Sequence, residues 1–400
     1  MHAHGRRAAT TGGLGALPRP YNLFTPGPVN LRPEILEALA LPALHHRSPE
    51  FEDVWADLGR RLGPVFRTAN PVAILSGSGT AGMEAAVANL FSAGDRVLVP
   101  AGGRFSRRWA EICKAFDVEV ASFSLQPGES PSSDQVFSSL RNDRSIRGVL
   151  LVQCETSTGS LTDLAAITRA LREAERDAGH PIFICSDSVT SLAIDPLETD
   201  AWGLDAVVSA SQKGLVSPPG LAFVTLSKRA RATLAGLAQR RYYFDLRRYL
   251  DSAKPPFTPA VPLCVALARS LDLVLGLGLE RIWKANAAAA SALRTIFETA
   301  RFRPVARSQA AGAVAFWTGD VSADAIFRTL RAEHGILVAR GQDELEGKIL
   351  RVSAIGKPRG EIVLFAEAFA STLARLGRAI DAAGAVSAVD NLLEETRIWE

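Results

Sequence analysis

A lysine set among small residues, Ser209-Ala210-Ser211-Gln212-Lys213-Gly214, follows one apolar run and precedes Pro218-Pro219-Gly220. A lysine at a strand end can point into the crevice at a sheet's carboxyl edge, where the ligands of α/β proteins sit. Partial desolvation there lowers its pKa and frees the amine to form a Schiff base with a carbonyl. An aspartate closes a second apolar run, Ile184-Cys185-Ser186-Asp187-Ser188-Val189, with room for one further β element before the lysine. A third run ends in Ser76-Gly77-Ser78-Gly79-Thr80. Its glycines let the backbone approach a phosphate, and the helix that follows offers free N–H groups and positive potential. The turn matches neither GxGxxG nor GxxxxGK[ST], the common nucleotide fingerprints. Each feature alone has a plainer reading: a surface lysine, a helix cap, a tight turn.

Two more segments join them. Glu155-Thr156-Ser157-Thr158-Gly159 offers hydroxyls, and Phe105 in Gly102-Gly103-Arg104-Phe105-Ser106 offers a ring that can stack on a flat ligand or fill a core. Five successive strand ends thus carry glycines, an aromatic, hydroxyls, an aspartate and a lysine. This is the inventory of a pyridoxal 5'-phosphate (PLP) pocket. The lysine meets the aldehyde, the glycine turn meets the phosphate, and the carboxylate keeps the pyridine nitrogen protonated so that the ring accepts electrons.

The elements that must position these residues follow from the apolar pattern. Strands are expected at Val72–Leu75, Arg96–Pro100, Val118–Phe123, Gly148–Gln153, Ile182–Ser186, Ala206–Ser209 and Leu221–Leu226, with helices between most of them. In Gly79–Leu90, Met83, Val87 and Leu90 share one helical face. Alternating strand and helix implies an α/β fold with a mostly parallel, seven-stranded sheet flanked by helices. The pattern changes at the proline-rich Pro255–Pro262. Helical stretches follow over 262–276 and 279–300, then short strands near Val314–Trp317, Ile336–Ala339 and Lys348–Ser353, then a long helix to about 382. The expected organisation is a loose arm over 1–20, a large cofactor-binding domain over 21–260 and a smaller α+β domain over 261–400.

The chain has 400 residues with 45 basic and 42 acidic side chains, a balance that gives no case for nucleic acid or an anionic membrane surface. No apolar run reaches the roughly 18 residues of a membrane span. Paired arginines near the start suggest an export signal, but glycines break the stretch behind them, so a tail is the expectation. Four cysteines without a CxxC pair read as reduced thiols in a cytoplasmic protein. Six histidines without a carboxylate cluster make no case for a metal site.

The chain resembles the class V aminotransferases of PLP fold type I, nearest to the alanine–glyoxylate, serine–glyoxylate and serine–pyruvate group. The resemblance runs from about Tyr21 to about Leu376. It is carried by TPGPVN (25–30), HRSPEF (46–51), SGSGTAGMEAA (76–86), ETSTG (155–159), DSVTSL (187–192), SASQKG (209–214), PPG (218–220), FTPAV (257–261) and EGKILRVSAIG (346–356). It implies a Schiff base on Lys213, a pyridine partner in Asp187, Val189 beneath the ring, Phe105 stacked above it and Thr156 near the phenolic oxygen. Ser78, Gly79, Thr80 and Gln212 would bind the phosphate, joined by Thr258 from the neighbouring subunit of a homodimer. Arg351 would hold the substrate carboxylate, with Gly27 close to the substrate. His45 and His46 would lie near the dimer interface and substrate entrance, or equally in a solvent-facing loop.

The implied reaction moves an amino group from a small amino acid of the alanine or serine type to a 2-oxo acid such as glyoxylate or pyruvate. Some relatives carry a tyrosine where Pro255 stands, and the Val352–Ile355 and Arg281–Asn286 stretches also depart from the family pattern. The rival substrates are a phosphonate or a specialised biosynthetic amine. A PLP-dependent lyase of the desulfurase kind would need a nucleophilic cysteine on a C-terminal loop and a stacking histidine, whereas the last cysteine is Cys264 and the stacking position is Phe105. A non-enzymatic scaffold would show loss of the lysine, aspartate or arginine, and all three are present.

Overall fold

The computed structural model describes residues 21–236, 241–390 and 392–400, and the arm expected over 1–20 lies outside them. Seven strands make the main sheet: β1 (Val72–Ser76), β2 (Arg96–Leu98), β3 (Glu119–Ala121), β4 (Ile146–Val152), β5 (Phe183–Asp187), β6 (Ala206–Ala210) and β7 (Leu221–Leu226). Their spatial order is β1-β7-β6-β5-β4-β2-β3. β7 alone runs against its neighbours. Every residue of β5, β6 and β7 is buried, which is why these strands read as apolar runs and not as alternation. The carboxyl ends of β1, β2, β4, β5 and β6 therefore share one edge.

Two helices position the site on that edge. Helix α1 (Gly79–Leu90) forms over the residues expected, and Met83, Val87 and Leu90 pack into the core beneath the sheet. Helix α2 (Arg104–Ala115) buries Trp109, Ile112 and Cys113, and the Trp109 indole donates to the Leu151 carbonyl at 3.1 Å. That bond ties α2 to β4.

The second layer is a four-stranded antiparallel sheet of β8 (Arg303–Pro304), β9 (Val314–Trp317), β10 (Ala339–Arg340) and β11 (Ile349–Val352), ordered β8-β9-β11-β10. Phe297, Phe316, Phe365 and Phe369 fill its core. Helices α3 (Val261–Leu277) and α4 (Leu279–Thr299) lead into it through an 87° bend at Gly278, whose φ of 84° suits glycine. Among the described residues no single helix is long and apolar enough to cross a membrane.

Packing and composition divide the chain differently. Cys264, Leu267 and Leu271 of α3 pack into the large-sheet core, although they follow the proline-rich join. In α4, Ile282 and Ala285 belong to that core, whereas Leu293, Ile296 and Phe297 belong to the small one. The change of core thus falls inside α4, not at residue 261: the prolines redirect the chain, and α3 still commits its apolar face to the large sheet. At the other end, Asn22–Leu23 pairs in parallel with Ile336–Leu337, so the first described residues join the small layer. The helix expected to reach residue 382 also stops early. Helix α5 (Arg359–Arg375) ends where Gly377 takes φ 82° and Arg378 N–H donates to the Leu373 carbonyl at 2.8 Å, and a separate helix, Ala382–Asp390, follows.

Candidate active site

Lys213 projects from a short loop stapled to its own strand ends. Ser211 N–H donates to the Leu221 carbonyl at 3.0 Å, and Val216 N–H donates to the Lys213 carbonyl at 2.9 Å. Gly214 has no room for a side chain, because a Cβ there would stand 2.2 Å from the Leu192 carbonyl oxygen. Opposite, the segment Pro26–Gly27 crosses over the lysine. Lys213 Nζ donates to the Pro26 carbonyl. A Cβ on Gly27, at φ 107°, would lie 2.2 Å from Lys213 Cδ. Burial lowers the Lys213 pKa to about 8, with Asp187 and Cys154 pulling it up and Arg351 pushing it down. An amine so placed is partly neutral near neutral pH.

Asp187 closes β5 and is buried. Its Oδ1 accepts the Val189 N–H at 2.9 Å. Desolvation raises its pKa to about 6, and the nearby Glu155 charge adds to that rise. A buried carboxyl raised in this way is suited to a cationic partner that restores its charge.

The anion end of the pocket is the start of α1. Ser78 takes the N-cap position in extended conformation, yet its side chain makes no capping bond, and it lines the cavity. A Cβ on Gly79 would sit 2.6 Å from Val189 Cγ2, so only glycine lets the backbone lie against that wall. Gln212 Oε1 is buried without a partner among the described residues.

Phe105 is held from behind. The buried Glu155 carboxylate accepts the N–H groups of Phe105 and Ser106, each at 3.0 Å, and the Ser157 hydroxyl at 2.5 Å. It thereby satisfies backbone donors at the start of α2 that have no partner within the helix. Neighbouring Thr156 is buried, and its carbonyl accepts Arg351 Nη1 at 2.9 Å. Arg351 Nε donates to the Arg340 carbonyl, also at 2.9 Å. Burial lowers the Arg351 pKa to about 10, with Glu155 opposing and Arg104 adding to the shift.

One cavity gathers Ser78, Gly79, Thr80, Phe105, Thr156, Asp187, Val189, Gln212 and Lys213. Four further residues line it that the sequence reading left out: Met83, Arg108, Cys154 and Thr190. Met83 was legible as an α1 core residue one turn past the glycines. Arg108 lies three positions after Phe105, the spacing that puts two side chains on one helix face. Cys154 and Thr190 carry no such signal. Thr258 and His46 stand apart from this cavity, facing each other at 3.4 Å, and Thr258 is exposed.

These residues fit PLP: an amine for the aldehyde, a buried carboxyl for the ring nitrogen, apolar walls from Val189 and Phe105, and an anion end with an orphaned amide beside it. Among the described residues no group of three or more His, Cys, Asp or Glu side chains gathers as a metal site. All four cysteines are buried free thiols.

Comparison with known proteins agrees with this geometry. A family model described as Aminotransferase class-V matches residues 37–353. The chain is 35% identical to the "Soluble hydrogenase, small subunit" of Synechococcus sp. (strain PCC 6716), covering 89% of this chain and 93% of that one. It is 30% identical to the "L-aspartate--glyoxylate aminotransferase" of Paracoccus denitrificans, over 94% of this chain and 96% of that protein. Among solved structures, an aspartate aminotransferase of subgroup IV from Thermus thermophilus superposes with a TM-score of 0.82 at 38% identity, covering 88% of this chain and 99% of that one. With the lysine, aspartate and glycine turn gathered on one sheet edge, the chain belongs to the class V aminotransferases and is a PLP-dependent transaminase.

Proposed function

We propose that the chain moves the amino group of a small α-amino acid, of the alanine or serine type, to glyoxylate or pyruvate. The observation that carries this is Arg351, which does not itself line the cavity but bonds the carbonyl of Thr156, which does, and lies near enough to Lys213 for its charge to lower the lysine's pKa. Its Nε and Nη1 are fixed by two carbonyls, and Nη2 makes no bond among the described residues. A guanidinium held this way is oriented for an α-carboxylate. When bound, the cofactor supplies an electron sink for the substrate α-carbon. Lys213, with its pKa of about 8, takes the Cα proton at Nζ and returns it. Asp187 would keep the ring nitrogen protonated, and Phe105 and Val189 would supply the apolar walls that hold the ring.

The glyoxylate in the name of the Paracoccus relative supports the acceptor. The test is a panel of alanine, serine, aspartate and amines without an α-carboxylate against glyoxylate and pyruvate. Aspartate belongs in it because two of the similar proteins carry that amino acid in their names. Turnover with α-amino acids that collapses in Arg351→Lys supports the reading. Inert α-amino acids, together with an amine or phosphonate donor that ignores the Arg351 change, would overturn it and leave the cofactor assignment standing.

We further propose a two-fold homodimer with Thr258 reaching the partner's phosphate site. Thr258 lies outside its own chain's cavity, next to an exposed aromatic cluster in which Tyr243 stacks on Phe257 at 5.1 Å. Mixed Lys213→Ala and Thr258→Ala subunits should form heterodimers with one doubly damaged and one intact site. An active monomer in sedimentation would exclude the idea. The buried free thiols support a reducing, cytoplasmic setting.

A further inference from the structure

Three arginines occupy the first turns of α2, and they are used differently. Arg104 and Arg107 face outward and both pair with Asp343, at 3.0 and 2.6 Å. Arg108 is half-buried, lines the cofactor cavity and forms no ion pair among the described residues. Its Nη1 donates to Thr80 Oγ1 at 3.3 Å, and its guanidinium lies over the Phe105 ring, 4.8 Å from the centroid. A guanidinium carries five donors in a planar fork, and a single long bond to a hydroxyl leaves most of them free.

The cofactor's phosphate explains this arrangement. A phosphate monoester carries about −1.5 to −2 charges at neutral pH. The N-terminus of α1 supplies roughly half a positive charge and several N–H donors, so it leaves about 1 to 1.5 negative charges unmatched. Ser78, Gly79, Thr80 and Gln212 bring no formal charge. Lys213 is committed to the aldehyde. Arg108 is the remaining cation among the cavity-lining residues, and its bond to Thr80 places it at the phosphate end. Stacking on Phe105 holds the fork flat without using its in-plane donors.

We infer that Arg108 is a phosphate ligand of the cofactor, clamping the dianion against the start of α1 while its flat face braces the stacking ring of Phe105. This rests on the phosphate lying at Ser78–Thr80. It assigns a binding role to Arg108 alone among the three arginines, since Arg104 and Arg107 do not line the cavity.

Comparing PLP with pyridoxal, which lacks the phosphate, tests it. The full-length chain, freed of cofactor by exchange, is titrated with each and the visible absorbance of bound cofactor is read. Arg108→Gln should weaken PLP about ten- to hundred-fold and leave pyridoxal within about two-fold, the range of a charged hydrogen bond. Arg108→Lys should recover part of the loss, since it restores charge but not the fork. The ³¹P resonance of bound PLP should titrate with pH in Arg108→Gln and stay fixed in the wild type. Equal weakening of PLP and pyridoxal would assign Arg108 to packing on Phe105 and overturn the inference, as would unchanged PLP affinity. Failure of the wild type to bind PLP would instead strike the cofactor reading itself. Arg107→Gln, which removes an outward-facing neighbour, should leave both affinities unchanged.

Discussion

Ser78, Asp187 and Lys213, which line the cavity, stand at strand ends of a single sheet, whereas the residues proposed to meet the substrate lie outside its lining, Arg351 on the small sheet and Gly27 among the first described residues. The first group is fixed by the ladder of one buried sheet. The second is brought together only when the two layers dock, and Arg351 keeps its place through carbonyls of both: Thr156 on the large side and Arg340 on the small. On the proposed function, the first half would do the chemistry and the docked half would choose what enters. Damage to the first should abolish reaction, and damage to the second should change its selectivity.

The largest effect should come from Lys213→Ala. Loss of the residue that transfers the Cα proton costs up to about 10⁴-fold in turnover. Borohydride reduction followed by peptide mapping should place the label on Lys213 in the wild type and nowhere in the variant. A variant that still turns over at wild-type rate would place the chemistry elsewhere. Next comes Arg351→Lys. Spoiling one partner of a buried, bidentate charge pair costs about 2–5 kcal/mol, or roughly thirty-fold to several thousand-fold in kcat/KM. The loss should be confined to donors with an α-carboxylate, and a uniform loss would show that the docked half also serves the chemistry.

Asp187→Asn should give the smallest change in energy and the most diagnostic one. The folded-state pKa of about 6 exceeds that of an exposed carboxyl because burial opposes the charge. Below about pH 4 the group is protonated folded or unfolded, and it costs nothing. As pH rises through 4 to 6 the unfolded chain ionises first, so the folded state loses stability relative to it. Above pH 6 the penalty is complete, at about 2–3 kcal/mol. Cofactor-free Asp187→Asn should therefore melt higher than wild type above pH 6 and equally near pH 4, while the cofactor-loaded variant turns over poorly. If the variant gains nothing at neutral pH, Asp187 is not held at a cost for function.

The same division explains what the sequence made legible. A strand end followed by Gly, Asp or Lys is a local signal, and β1, β5 and β6 deliver their residues to one edge because parallel strands share a direction. Gly377, which halts α5, was equally visible, but the alanine-rich pattern continued past it and outweighed it. The Arg351–Thr156 bond and the Lys213–Gly27 contact depend on segments more than a hundred residues apart, which no periodicity encodes. Arg108 was within reach: Phe105 was singled out, and the arginine three positions on shares its helix face. The change of core within α4 left no mark, since its alanines suit either layer.

That helix has a bearing on how the molecule comes apart. Ile282 and Ala285 sit in one apolar cluster and Leu293, Ile296 and Phe297 in the other, along a single run of hydrogen-bonded backbone. Neither cluster can melt without fraying the helix the other relies upon. Two cores joined by such a shared axle should unfold in one cooperative transition, with coincident curves from fluorescence and circular dichroism. A pair of glycines replacing Ala287 and Ala288 at the crossover should uncouple them and split that transition in two.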